Sequence, residues 1–232
     1  MKIGVTGAKG FIGKSIINEL QKRKIKAYGF DLPENDVLDQ SSLKKFLAGK
    51  DVIIHTAAVN RGTDFDIIST GIVGTYNLTL SKKRIVFLSS IQATNDNVFG
   101  LSKRICEKLL ESFSKEKKIP VSILRIPNVF GENCRPFYNS VVATFCYQIN
   151  RGQKIKVSSD KRKIPFIYIK DLAKIIVNET LAQRKKYFFK EIPGQERVTV
   201  AELARILNSF KSEKKPKSKF YKNLYQTFLS YK

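Results

Sequence analysis

An apolar run, Ile3 to Thr6, leads without a break into Gly7-x-x-Gly10-x-x-Gly13, and helical spacing follows at Phe11, Ile12, Ile16, Ile17 and Leu20. Strand, glycine turn and helix in that order open a dinucleotide-binding βαβ unit. In such a unit the first glycine allows the tight turn. The second lets the backbone approach a pyrophosphate, and the third lets helix and strand pack closely. The free N–H groups and the dipole at the helix N-terminus then favour phosphate charge. The bland reading of the same residues is a glycine turn with no ligand.

The chain continues in the same alternation. Ile25 to Phe30 reads as a second strand ending at Asp31. An acid at that strand end, about 20 residues beyond the glycines, holds the adenosine ribose hydroxyls and repels a 2′-phosphate. That favours NAD over NADP; a turn-forming Asp before Leu32-Pro33 is the other reading. Ser41-Ser42 opens a short helix through Leu43, Phe46 and Leu47, and residues 51–58 form a continuous apolar strand of the kind a doubly covered parallel sheet needs. Helical spacing over 66–80 precedes a strand from Arg84 to Leu88 ending in Ser89-Ser90, an amphipathic helix from Lys103 to Phe113, and a strand from Val121 to Ile126. The pattern predicts an α/β fold, a Rossmann-type doubly wound parallel sheet with a small C-terminal lobe. Beyond Gly131 it predicts a helix over 141–149, short strands over 154–157 and 166–169, and a helix over 171–181. Thr199-x-x-Glu202 is a capping box for a helix ending near Phe210; a basic linker over 211–219 then leads to a docked helix through Phe220, Leu224 and Phe228. The expected division is a dinucleotide-binding core, 1–130, and a substrate lobe, 131–232, interleaved with it.

Composition narrows the classes. No apolar run approaches the ~20 residues of a membrane span, and the chain opens on a strand rather than a leader, so a cytoplasmic protein is expected. Cys106, Cys134 and Cys146 are odd in number and lack CxxC spacing, and His55 is the single histidine. Neither a zinc cluster nor a Ser-His-Asp triad can be assembled, so no metal site is expected. The net charge of +23 (43 Lys and Arg minus 20 Asp and Glu) is scattered over short clusters near helix ends. No nucleic-acid motif accompanies it, so neither a nucleic acid nor a membrane is expected as partner.

Further blocks carry a resemblance: His55-Thr-Ala-Ala58, Gly74-Thr-Tyr-Asn77, Gly100-Leu-Ser-Lys103, Arg125-x-Pro-Asn128-Val-Phe-Gly131 and Tyr168-x-x-Asp171. With the glycine turn, they resemble the extended short-chain dehydrogenase/reductases that act on nucleotide sugars. The stretches Ala58-Val-Asn-Arg61, 89–97 and 134–146 are similar to the reductase half of CapF-type capsular-sugar enzymes. In those a metal-carrying cupin half follows. This sequence ends before it, and the second activity is expected to be absent.

The resemblance implies hydride transfer from NAD or NADP to a UDP-linked 4-keto-6-deoxy-N-acetylhexosamine, with epimerisation as an additional activity. It implies cofactor contacts at Gly7, Lys9, Gly10, Phe11, Ile12, Gly13, Asp31, Asp36, Val37, Thr56, Ala57, Ala58, Lys103, Pro127 and Asn128. Substrate contacts fall on Asn60, Arg61, Ser90, Ile91, Gln92, Asn128, Arg135, Tyr138, Asn139 and Ser140, and a homodimer is implied. Catalysis falls on Ser90, Lys103 and the position of the family's proton-donating tyrosine, which here is Phe99. General acid assistance is typically worth ~100- to 10,000-fold, so its loss should cripple the reduction unless Tyr138, a Ser90-bound water or Lys103 replaces it. The other consequence would be a catalytically impaired dinucleotide- and sugar-binding paralogue serving as sensor or partner protein.

Overall fold

A computed structural model describes residues 1–157, 159–212 and 218–232. Of the expected basic linker, residues 213–217 lie outside the described ones. The chain forms two compact units, residues 1–126 with 173–192, and residues 127–172 with 193–232.

In the first unit β1 (Ile3–Thr6), α1 (Phe11–Lys22), β2 (Ala27–Phe30), α2 (Gln40–Leu47) and β3 (Val52–His55) follow one another. A helical run comes next: α3 (Asp64–Ile68), a π turn (Ser69–Val73) and α4 (Gly74–Thr79). β4 (Arg84–Ser90), a 3₁₀ turn (Ile91–Thr94), α5 (Val98–Lys117) and β5 (Val121–Ile126) complete the main run. The strands of the expected doubly wound sheet are present. They pair in parallel in the order β2-β1-β3-β4-β5, and a strand from later in the chain, Phe188–Glu191, closes the far edge beside β5. β1 lies between β2 and β3, in register Ile3 with Ala27 on one side and with Val52 on the other. The chain therefore leaves β1 in opposite directions along the sheet, which makes the carboxyl ends of β1 and β3 the topological switch point where ligands bind in open α/β sheets.

The strands are buried because both faces are covered. Ile3, Ile53, Ile54, Ile85, Val86, Val121 and Ile123 expose 1% or less, and Leu43, Leu47, Leu78, Leu110 and Phe113 from the helices on one face pack with Ile53, Ile85, Val121 and Ile123. A continuous apolar run, rather than an alternating one, is what such strands require. α5 begins five residues before the expected Lys103, because the Asn97 side chain accepts the Gly100 amide at 2.8 Å and starts the helix there.

In the second unit β6 (Asn128–Phe130) and α6 (Val141–Asn150) precede β7 (Ile164–Tyr168) and α7 (Ile169–Leu181). α7 starts in this unit and ends in the first, where β8 (Phe188–Glu191) follows. β9 (Glu196–Val198), α8 (Val200–Ser209) and α9 (Lys219–Leu229) complete the chain. β6 pairs parallel to β7, and β9 antiparallel to it. Residues 154–157, expected as a strand, form none. The Lys-Ile-Lys-Val alternation has no described partner strand, and Lys154, Lys156 and Val157 remain exposed. Phe130 anchors the core of this unit, with ring centroids of Phe166, Tyr168 and Phe220 at 6.4, 5.6 and 5.5 Å. The Thr199–Glu202 capping box is formed in both directions.

Candidate functional site

The glycine turn has the geometry its spacing implies. Gly7 lies at φ +69°, where L side chains are disfavoured, and a Cβ there would be 2.7 Å from the Ala57 nitrogen. A Cβ on Gly13 would lie 2.0 Å from the Gly7 carbonyl oxygen. The turn closes through Gly10 N–H to Gly7 O at 3.1 Å, and Gly10 caps α1 with no side-chain bond. The first intrahelical acceptor is Gly10 O, taken by Lys14 N–H, so the amides of Phe11, Ile12 and Gly13 have no partner within the helix. A phosphate suits these groups.

Asp31 stands at the end of β2, and both of its carboxylate oxygens are held. Oδ2 accepts the Lys9 amide at 2.7 Å, and Oδ1 accepts the Leu32 amide at 2.8 Å. The Lys9 ammonium pairs with Glu34, which lowers the Glu34 pKa. Asp36 turns its carboxylate to the Leu38 amide at 2.9 Å, and the Val37 carbonyl accepts Asn77 Nδ2 at 3.0 Å. At the end of β3, Thr56 Oγ1 donates to the carbonyls of Thr6 at 2.7 Å and Gly7 at 3.2 Å. Ala57 and Ala58 follow, half-buried, and Asn60 keeps a buried Oδ1 without a protein donor. An acceptor that is shielded from water and unpaired is costly unless a ligand donor meets it. Arg61 is exposed.

The third cluster links β4 to α5. Lys103 is 6% exposed, and its Nζ donates to the Leu88 carbonyl at 3.0 Å. It also lies 4.9 Å from the Phe87 ring centroid and 5.7 Å from that of Phe99, one helical turn earlier. Burial pushes the Lys103 pKa down, opposed by Cys106 and Glu107. Ser90 Oγ accepts the Gln92 amide at 3.1 Å, so Ser90, Ile91 and Gln92 lie together on the 3₁₀ turn. His55, fully buried, has its ring nitrogens against Thr6 Oγ1 at 2.7 Å and Thr75 Oγ1 at 3.1 Å. Desolvation, with Lys103 adding to it, holds its pKa down at about 3.

Sequence reading missed Glu107, a buried acid four residues after Lys103. It accepts Ser89 Oγ at 2.5 Å and both arms of Arg125, Nε at 3.0 Å and Nη2 at 2.6 Å. Its signal was the i+4 spacing, which puts a carboxylate on the face of α5 that carries Lys103. The remaining predicted residues belong to the second unit. There Pro127 is buried and Asn128 opens β6. Ser140 Oγ caps α6 by accepting the Ala143 amide at 3.2 Å, Arg135 lies 5.5 Å over the exposed Tyr138 ring, and Asn139 is exposed. Among the described residues no group of His, Cys, Asp and Glu is placed to hold a metal, and no helix is long and apolar enough to cross a membrane.

Comparison with known proteins places this geometry. The chain is 32% identical, over its whole length, to UDP-2-acetamido-2,6-beta-L-arabino-hexul-4-ose reductase of Pseudomonas aeruginosa, and spans 65% of that protein. The crystal structure of the capsular polysaccharide assembling protein CapF from Staphylococcus aureus superposes with a TM-score of 0.80 at 33% identity, covering all of this chain and 65% of that one. The UDP-glucuronic acid 4-epimerase of Bacillus cereus, solved in complex with NAD, shares the fold at a TM-score of 0.89 and 19% identity, covering 99% and 96%. The resemblance to CapF-type proteins read from the motifs is borne out. The sequence model of the NAD dependent epimerase/dehydratase family matches residues 3–185, and the chain belongs to that family.

Proposed function

We propose that this chain is a nicotinamide-dinucleotide-dependent reductase of a UDP-linked 4-keto-6-deoxy-N-acetylhexosamine, serving capsule or surface-glycan synthesis. The observation that carries the reading is Lys103, a buried ammonium fixed to the end of β4 beside Ser90, on a fold whose glycine turn is shaped for a phosphate. The whole-chain likeness to a UDP-sugar reductase supports the substrate class. The dinucleotide would be held at its pyrophosphate by the α1 amides, at its adenosine ribose by Asp31 and at its nicotinamide ribose by Lys103. When bound, it supplies the hydride. Ser90 hydrogen-bonds the sugar carbonyl oxygen, and Asn60 Oδ1, buried and unpaired, accepts a donor from the bound molecules.

NAD is preferred. A carboxylate fixed by two backbone amides at the ribose position repels a 2′-phosphate, and the nearby Lys9 ammonium, which could offset it, is paired with Glu34. The functional unit is a homodimer. Phe65, Ile68, Val73, Tyr76 and Leu80 are exposed along the α3-to-α4 run, and Leu101 and Ile105 are exposed on α5, which packs beside that run. Such a stripe on paired helices suits a second copy. Phe99 favours a second reading, a chain that binds dinucleotide and sugar without turnover. Oxidation of NADH and NADPH, each with the keto sugar, separates the two. The reductase reading expects faster consumption of NADH, and bound but unconsumed cofactor would support the second reading.

A further inference from the structure

Position 99 lacks the phenol that protonates the developing alkoxide in enzymes resembling this one, and the surroundings of Lys103 point to its replacement. Lys103 has three N–H bonds. Among the described residues one acceptor meets them, the Leu88 carbonyl at 3.0 Å. The other neighbours are the rings of Phe87 and Phe99, with centroids 4.9 and 5.7 Å from Nζ. Ring faces attract an ammonium but take no proton from it. Because Phe99 and Lys103 are one turn apart on α5, the ammonium lies on the helix face where the missing hydroxyl would have stood.

The other titratable groups near this ammonium are committed elsewhere. His55 on β3 is neutral, with both ring nitrogens against threonine hydroxyls. Cys106 on α5 donates its thiol to the Gly71 carbonyl at 3.2 Å. Glu107, also on α5, is saturated by Ser89 and by Arg125 of β5. The serine hydroxyl of Ser90 accepts from Gln92 and is too weak an acid to give up its proton outright.

We propose that the Lys103 ammonium is the proton donor of the reduction; this rests on the reductase reading above. The carbonyl carbon gains a hydride from the reduced nicotinamide dinucleotide, and the C=O π pair moves onto oxygen. An N–H bond of Lys103 breaks, its electron pair stays on Nζ, and the proton completes the sugar hydroxyl. The products are an alcohol, oxidised dinucleotide and a neutral amine, which water reprotonates. Burial aids the step by weakening the hold on the proton, a shift that Cys106 and Glu107 only partly oppose.

The test joins a binding and a spectroscopic readout to turnover. In protein carrying ¹³C-labelled lysine, the Lys103 ε-carbon resonance, assigned by its loss in Lys103→Arg, should titrate below the ordinary lysine range. Turnover should fall as pH rises through that same midpoint, because the donating form is the ammonium. Lys103→Arg keeps the charge, but a guanidinium holds its proton far more tightly than an ammonium. It should still bind NADH, followed by fluorescence, yet reduce the sugar at least ~100-fold more slowly. Adding Phe99→Tyr to Lys103→Arg should restore much of the loss. A Lys103→Arg chain that binds NADH and turns over within threefold of the parent would overturn the proposal, as would a Lys103 midpoint unrelated to the rate profile. Absence of turnover from both the parent and Phe99→Tyr would overturn the reductase reading itself, and this proposal with it.

Discussion

A methyl group on Gly13 would stand 2.0 Å from the Gly7 carbonyl, against backbone that cannot swing aside as a flexible side chain would. Gly13→Ala should therefore move α1 off the turn, at a cost of about 1–3 kcal/mol. It should also weaken NADH binding, seen by fluorescence titration, far more than Gly49→Ala does. Gly49 has positive φ, unlike Gly13, but open space around it. His55 makes a second prediction at this scale. Its pKa is about 3 in the fold against 6.5 as the ordinary value, so the folded protein binds the proton less well than the unfolded chain. Stability is therefore full above pH 6.5 and is lost as pH falls towards 3, at up to about 1.4 kcal/mol per pH unit from this group. Urea midpoints measured across that window should slope less steeply in His55→Gln, and an unchanged slope would contradict the assignment.

Single elements are held mainly at their ends. The α8 capping box satisfies the Glu202 amide with Thr199 Oγ1 at 3.0 Å and the Thr199 amide with Glu202 Oε2 at 2.7 Å. Thr199→Ala should lower stability by about 1 kcal/mol, read by chemical denaturation. This cap and the glycine turn were legible in the sequence because each is a local rule that fixes its own residues. β1, β3, β4 and β5 were legible because parallel strands covered on both faces must be apolar throughout. β6, β8 and β9 were not. They are three or four residues long, and Phe188–Glu191 carries exposed polar side chains at a sheet edge, so burial leaves little trace in their composition. Residues 154–157 failed in the opposite sense, since alternation is necessary for a half-buried strand but supplies no partner. At the site, Asp31 stood out by its spacing from the glycines, whereas Ser90 and Lys103 were singled out only by the family resemblance. The Glu107–Arg125–Ser89 cluster joins two strands and a helix through side chains distant in sequence, and no local pattern announces it.

For the molecule as a whole, the exposed stripe along the α3-to-α4 run and α5 is the feature that a lone chain would leave in water. The π turn at Ser69–Val73 helps to keep this stripe continuous, because its wider winding restores Val73, Tyr76 and Leu80 to the side carrying Phe65 and Ile68. Light scattering should give twice the 26.4 kDa chain mass, and Tyr76→Lys with Ile105→Glu should give the single chain. A parent protein that is monomeric at micromolar concentration would remove the dimer. The central claim, hydride transfer to a nucleotide-linked keto sugar by a chain without the phenol acid, is tested most directly by isotope. NADH deuterated at the transferable position should deliver its deuterium to the keto carbon, and mass spectrometry should find one deuterium in the UDP-sugar alcohol formed by the unaltered protein. Recovery of the unreduced keto sugar, with NADH bound and its deuterium retained, would contradict the account.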